Sequence, residues 1–84
     1  MRLDKYLKVS RLIKRRTIAK EACDAGKIMI NDKIAKAGTE VNVGDRLTIQ
    51  FGNQKICVKI DDIKETVRAH EAESLYTMLS KTQS

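Results

Sequence analysis

An α+β fold is predicted for this 84-residue chain: two helices at the front, an antiparallel sheet in the middle and a helix at the end. Two observations predict it. The apolar period is helical up to Gly26, changes to two between Ile28 and Ile60, and returns to spacings of three and four after Asp61. Turn residues separate the period-two runs at Asn31-Asp32, Gly44-Asp45 and Gly52-Asn53, as strands joined by short connections require.

Taken in order, Leu3, Tyr6, Leu7, Val9 and Ser10 fall within one arc of a helix turning about 100° per residue, with Lys5 and Lys8 opposite and Arg2 at the border. Residues 9–13 carry this helix on or end it, and Lys14-Arg15-Arg16 links it to a second. Thr17 is the expected cap of that second helix, although Lys20 stands where a capping box would place Glu. Ile18, Ala19, Ala22, Cys23 and Ala25 give it a slim apolar side, and Gly26 supplies a left-handed stop. Small side chains let the two helices approach closely.

Ile28 and Ile30 then face one way, Asn31-Asp32 forms a tight turn, and Ile34 begins a return strand. Asp at the second turn position resists positive φ more than Gly would. Ala37-Gly38-Thr39 is a loop, and Val41, Val43 and Gly44-Asp45 lead into a further strand. Leu47, Ile49 and Phe51 alternate with Arg46, Thr48 and Gln50, Gly52-Asn53 turns the chain, and Ile56, Val58 and Ile60 alternate back with Cys57 and Lys59. In the last segment Ala69, Ala72, Leu75, Tyr76 and Leu79 predict a helix with Thr66 as a cap, packed on the sheet, and residues 81–84 are expected to fray. With no repeat, Pro-rich linker or low-complexity tract, residues 1–84 read as a single domain.

Charge is distributed unevenly along this pattern. Residues 1–36 hold eleven Lys and Arg against four acids, a net of +7, whereas residues 37–84 hold six against seven, a net of −1. Residues 1–16 alone carry seven cations against one carboxylate, interleaved with leucines at helical spacing. So concentrated a basic surface is the electrostatic footprint of a nucleic-acid binder. Three aromatics, Tyr6, Phe51 and Tyr76, provide poorly for stacking several unpaired bases, so backbone and shape recognition fit better.

Other classes find little support. Cys23 and Cys57 lack zinc spacing and read as reduced thiols of an intracellular protein. No apolar run approaches a membrane span, and the N-terminus lacks a signal-peptide core. His70, the sole histidine, falls on the polar side of the last helix. The acidic pairs Asp61-Asp62 and Glu71/Glu73 suit capping and solubility better than proton sharing. With no phosphate loop or nucleophile motif, neither catalysis nor a cofactor is expected.

Four blocks in order, Arg2-Leu3-Asp4-Lys5-Tyr6-Leu7, Arg15-Arg16-Thr17 with Ala19 and Ala22, Gly26-Lys27-Ile28-Met29-Ile30-Asn31, and Val43-Gly44-Asp45, resemble the ribosomal protein S-four RNA-binding domain, or alpha-L motif. The resemblance covers about residues 1–50. It implies two N-terminal helices packed on a small bent antiparallel sheet, with RNA held by the exposed side of the helical pair and its link. The second hairpin and C-terminal helix would then occupy residues 51–80. The run Arg2 to Arg16 and the ending Glu71 to Leu79 further resemble the small stand-alone bacterial S-four proteins of ribosome-associated quality control, relatives of the heat-shock ribosome-binding protein. That resemblance implies a cytoplasmic, ribosome-associated factor, monomeric off the ribosome. It would bind 23S rRNA and peptidyl-tRNA on obstructed large subunits and work with RqcH in C-terminal alanine tailing. Asn31-Asp32 departs from the Asn-Gly of many relatives.

Within the motif, Arg2 and Arg16 fall at the two basic anchor positions, and their forked guanidinium groups suit phosphate or a guanine edge. Lys5, Lys8, Lys14 and Lys20 act as mobile point charges, Arg11 and Arg15 as phosphate contacts, and Lys27 and Lys33 as rim charges. Asp4 belongs to the same candidate site as a brace for Arg16 or Arg2 near a helix N-terminus. Two other readings stand beside this one: a general large-subunit recycling, heat-shock or assembly factor, and a basic module that docks on an acidic protein or anionic membrane without RNA. If about four to six phosphates are neutralised, log affinity for RNA falls with log salt at a slope of about −3 to −5. A filter-binding salt series measures that slope, and a value near zero removes the electrostatic mechanism.

Overall fold

The computed structural model describes residues 1–83. Helix α1 spans Leu3–Val9 and α2 spans Arg16–Asp24; strands β1 (Ile28–Ile30), β2 (Lys33–Ile34), β3 (Arg46–Phe51) and β4 (Gln54–Ile60) follow, then a 3-10 helix, Ala69–Leu75, and β5 (Tyr76–Gln83). The strands form one antiparallel sheet in the order β2-β1-β3-β4-β5. This is the expected α+β fold, with the helical pair on one face of the sheet. Between the layers lie Leu3, Tyr6 and Leu7 of α1, Ala19 and Cys23 of α2, and Ile28, Leu47, Ile49, Val58 and Ile60 of the sheet. Each large aliphatic side chain buried there contributes about 1.5–3 kcal/mol.

Backbone chemistry fixes where the helices begin and end. The first free N–H groups of α1 are taken by the loop that follows β2: Leu3 donates to the Thr39 carbonyl at 2.7 Å and Asp4 to that of Ala37 at 3.2 Å. Arg11 ends α1 in the left-handed region, at φ 63, a position usually given to glycine. At the end of α2 Gly26 takes φ 74, its N–H bonding Cys23 O and that of Lys27 bonding Ala22 O, both at 3.0 Å. This is the Schellman arrangement, and the expected stop is present. Thr17 does not cap α2. Arg15 is the extended residue before the helix, and Thr17 lies exposed within the first turn.

The hairpins follow their turn residues. Asn31 and Asp32 both take positive φ, 50 and 70, giving a two-residue mirror-image turn between Ile30 and Lys33. Its cost is offset by Asn31, whose side chain donates to Asp45 Oδ1 at 3.1 Å and accepts from the Arg46 N–H at 3.0 Å, tying the turn to the start of β3. Gly52-Asn53 joins β3 to β4, with Gly52 at φ 51.

Near the C-terminus the structure corrects the sequence reading. The predicted helix is a 3-10 helix that stops at Leu75, and residues 76–83 are a strand paired with β4 from Ile60↔Tyr76 to Gln54↔Gln83. Ala69, Ala72 and Leu75 recur every three residues, which a 3-10 helix stacks on one side as well as an α-helix does. Beyond Leu75 the open edge of β4 offers a row of backbone partners that a free helix end would lack. Residues 81–83, expected to fray, belong to this pairing, and Ser84 lies outside the described residues. Thr66 does not cap; the residue before the 3-10 helix is Arg68.

The Leu75 carbonyl joins the two ends of the chain. It accepts from the Tyr6 hydroxyl at 2.8 Å and from the N–H groups of Asp61 and Asp62 at 2.9 and 3.2 Å. Burial pushes the Tyr6 phenol well above its ordinary pKa, with smaller contributions from Asp61, Tyr76 and Asp62, so it remains a donor. Tyr6→Phe is expected to lower stability by about 1 kcal/mol, read as a lower urea midpoint at unchanged slope. An unchanged midpoint would show that the hydroxyl contributes nothing.

Candidate nucleic-acid interface

Arg16, twelve residues further along the chain, meets Arg2 and Asp4 at the start of α1. Asp4 is 3% exposed, placed there because the second position of α1 faces the start of α2. Its carboxylate accepts from Arg2 Nε at 3.2 Å, from Arg16 Nε at 3.2 Å and Nη2 at 3.5 Å, and from the Lys5 N–H at 2.9 Å. Both arginines are braced, where the sequence suggested one or the other. Two guanidinium groups sharing one carboxylate leave a net positive charge. Their side chains are 55% and 46% exposed, so N–H groups not used on Asp4 remain directed to solvent.

Burial by itself would raise the Asp4 pKa. The hydrogen bonds and charges of Arg16, and then of Arg2, outweigh it and hold the carboxyl below its ordinary value of 3.8.

A groove of about 490 Å³ runs beside this trio. Lys5, Lys8, Val9, Arg11 and Arg16 line one wall, and Glu65, Thr66 and Val67 the other. A second hollow of about 460 Å³, lined by Lys8, Arg11, Ile13 and Lys14, continues from it, so Lys8 and Arg11 stand on a shared rim. The left-handed φ of Arg11 projects this residue from the turn, and Ile13 anchors the turn in the core. Lys20, one helical turn after Arg16, and Arg15 are exposed on the same helical layer.

The remaining expected residues are spread further. Arg2 lies outside the groove, on the other side of Asp4 and against Gly38. Lys27 lines a separate hollow with Ile18 and Phe51. Glu65, Thr66 and Val67 were not anticipated as a wall. Nothing in a segment some sixty residues from Lys5 signals that it folds back over α1. Glu65 forms an ion pair with Lys5, and that hydrogen bond and charge lower the Glu65 pKa. Lys5 is thus partnered in the free protein, whereas Lys8, Arg11, Lys14 and Arg15 form no ion pair among the described residues. Cys23 and Cys57 are free thiols; burial first, then Asp4 and Asp24, push Cys23 up to about 11.

A two-helix layer with a braced arginine pair, set on a five-stranded antiparallel sheet, is the architecture of an RNA-binding domain of the S4 class. The S4 domain model matches residues 1–47, and the chain belongs to that family, a non-catalytic RNA-binding one. It is 60% identical, over 90% of its length and 86% of the relative's, to a Halalkalibacterium halodurans protein named RQC P-site tRNA stabilizing factor. A Bacillus subtilis protein of the same name is 52% identical over 96% of this chain and 94% of its own. Among solved structures, heat shock protein 15 of Vibrio cholerae superposes with a TM-score of 0.88 at 32% identity, covering 95% of this chain and 82% of that one.

Because the folded-state pKa of Asp4 lies below the unfolded value, its contribution to stability is complete above about pH 4 and is lost as the pH falls through the folded value. Asp4→Asn is expected to cost about 1.5–3 kcal/mol at neutral pH and to flatten the acid limb of the stability curve. Urea midpoints from pH 2 to 7 test this, and an unaltered acid limb would show that another carboxylate controls it.

Proposed function

We propose that this chain is a non-catalytic factor of ribosome-associated quality control that binds 23S rRNA and peptidyl-tRNA on obstructed large ribosomal subunits, supporting RqcH-dependent alanine tailing of the stalled nascent chain. The single observation that carries the reading is the pair of exposed guanidinium groups on Asp4, beside a groove lined by Lys5, Lys8 and Arg11. The names of the relatives at 60% and 52% identity support the ribosomal setting. In this reading the protein makes and breaks no bond. Arg2 and Arg16 offer forked donors held in one orientation, so little of their rotamer freedom remains to be lost when a phosphate arrives. Lys8, Arg11, Lys14, Arg15 and Lys20 supply the longer-range attraction, and Lys27 lies at the margin. Asp4 acts through the arginines and touches no RNA.

The likeness to heat shock protein 15 favours a second reading, a general large-subunit recycling factor with the same RNA face. Copurification with RqcH and peptidyl-tRNA, against copurification with assembly precursors or recycled subunits, separates the two. Among the described residues no helix is long and apolar enough to cross a membrane. The chain is proposed to act as one cytoplasmic domain, monomeric off the ribosome.

Replacing Arg16 tests the mechanism. Arg16→Ala is expected to weaken binding to large subunits by about 1–3 kcal/mol, with Arg2 and the Lys5 N–H still holding Asp4, so the far-UV spectrum stays native. Arg16→Lys, which keeps the charge and loses the fork, is expected to recover only part of the affinity. Full recovery in cosedimentation would mean that charge alone matters at this position, and loss of the native spectrum would make Arg16 a structural residue.

A further inference from the structure

The face of the sheet turned away from the helices is not used by the site described above, and its side chains follow a regular order. Strand alternation and the observed register set three rows across it. One row runs Arg46–Lys59–Thr77, the next Met29–Thr48–Cys57–Ser80, and the third Gln50–Lys55–Thr82. Ile34 lies opposite Met29 at the end of the middle row and is 68% exposed. The outer rows thus carry cations, hydroxyls and the Gln50 amide, and the middle row, in which Thr48 is buried and Cys57 half-buried, is a weakly polar floor between them.

Neither outer row contains a carboxylate. Arg46, Lys55 and Lys59 are exposed and form no ion pair among the described residues. Asp61, at the border of the first row, is occupied by the Thr77 hydroxyl. The back of the chain is neutral to slightly acidic in sum, so this concentration of free cations comes from folding and not from composition. At about 3.3 Å per residue the outer rows stand about 13 Å apart. That separation lets the two rows reach phosphates on either side of a shallow groove while the floor meets sugar edges. A-form RNA presents such a wide, shallow minor groove.

We propose that this outer sheet face is a second RNA-backbone contact surface, with Arg46, Lys55 and Lys59 as its phosphate ligands, so that the domain holds two RNA segments on opposite sides. The inference rests on the reading of the chain as an RNA binder and extends it to a surface outside the helical pair. RNA is favoured over an acidic protein because the cations flank a floor whose prominent apolar groups are Ile34 and Met29, joined at the β5 bulge by the half-exposed Leu79, with no aromatic ring among them to anchor a protein interface.

The test is a sandwich assay with the full chain. One biotinylated duplex RNA is immobilised, the protein is bound, and a second, fluorescent duplex is offered. Wild type is expected to capture the second duplex. The variant Arg46→Gln, Lys55→Gln, Lys59→Gln is expected to keep the first capture and lower the second to under a tenth. A charge-matched control, Lys36→Gln, Lys64→Gln, Arg68→Gln, is expected to keep both. Equal loss in the control would reduce the effect to net charge and overturn the proposal, as would an unchanged second capture in the sheet-face variant. Capture of fluorescent polyglutamate in place of the second duplex would make the occupant an acidic protein and also overturn it. Failure of the first capture by wild type would instead strike the helical-face reading. Circular dichroism of each variant confirms the fold, and if the triple variant unfolds, Lys59→Gln alone, expected to halve the second capture or more, replaces it.

Discussion

The carboxylate of Asp4 is the constraint on which the RNA-facing half of this protein depends. Closed in between α1 and α2, it would be costly to bury alone, and two guanidinium groups and a backbone N–H satisfy it. The same contacts orient Arg2 and Arg16 and set how the second helix meets the first. One buried charge thereby does two things: it joins the start of α1 to the start of α2, and it holds two otherwise floppy cations in fixed positions at the surface. Acid in a strongly basic segment looked out of place only while its partners were unknown.

The other end of the chain closes the structure. Tyr6 reaches across to the Leu75 carbonyl, which also takes the N–H groups of Asp61 and Asp62, and from there the chain runs back along β4 as β5. In consequence the segment from Ile63 to Val67 lies beside α1, and Glu65 and Thr66 become one wall of the basic groove. The C-terminal third therefore shapes a site whose cations come wholly from the N-terminal third. Glu65 also takes Lys5 as its partner, so an arriving phosphate would compete with a carboxylate at that one position and meet, at Lys8, Arg11 and Lys14, cations with no ion pair among the described residues.

Much of this was legible in the residues. The helical face of Leu3, Tyr6 and Leu7, the stop at Gly26, the turn at Asn31-Asp32 and the alternation of β3 and β4 all depend on local geometry and on which side chains prefer water. Local preference is strong where a pattern has one solution. At Thr17 and in the last segment it has two. A threonine in the first turn of a helix looks like a cap whether or not the helix begins one residue earlier. Spacings of three suit a 3-10 turn as well as an α-helix, and Tyr76 to Gln83 became a strand because β4 had an unpaired edge.

By itself, then, the sequence determined the order of helix and strand, the apolar residues of the core and the concentration of cations in the front, since each follows from periodicity, burial preference and charge count. Tertiary structure alone decided that Asp4 serves both arginines, that Lys5 is tied to Glu65, that the 3-10 helix gives way to β5 and that Arg46, Lys55 and Lys59 share one face with no ion-pair partner among the described residues. Those outcomes depend on pairings between residues twelve to sixty positions apart and on strand register. No periodicity along the chain encodes such contacts, because what selects them is the mutual satisfaction of buried polar groups once the layers have packed.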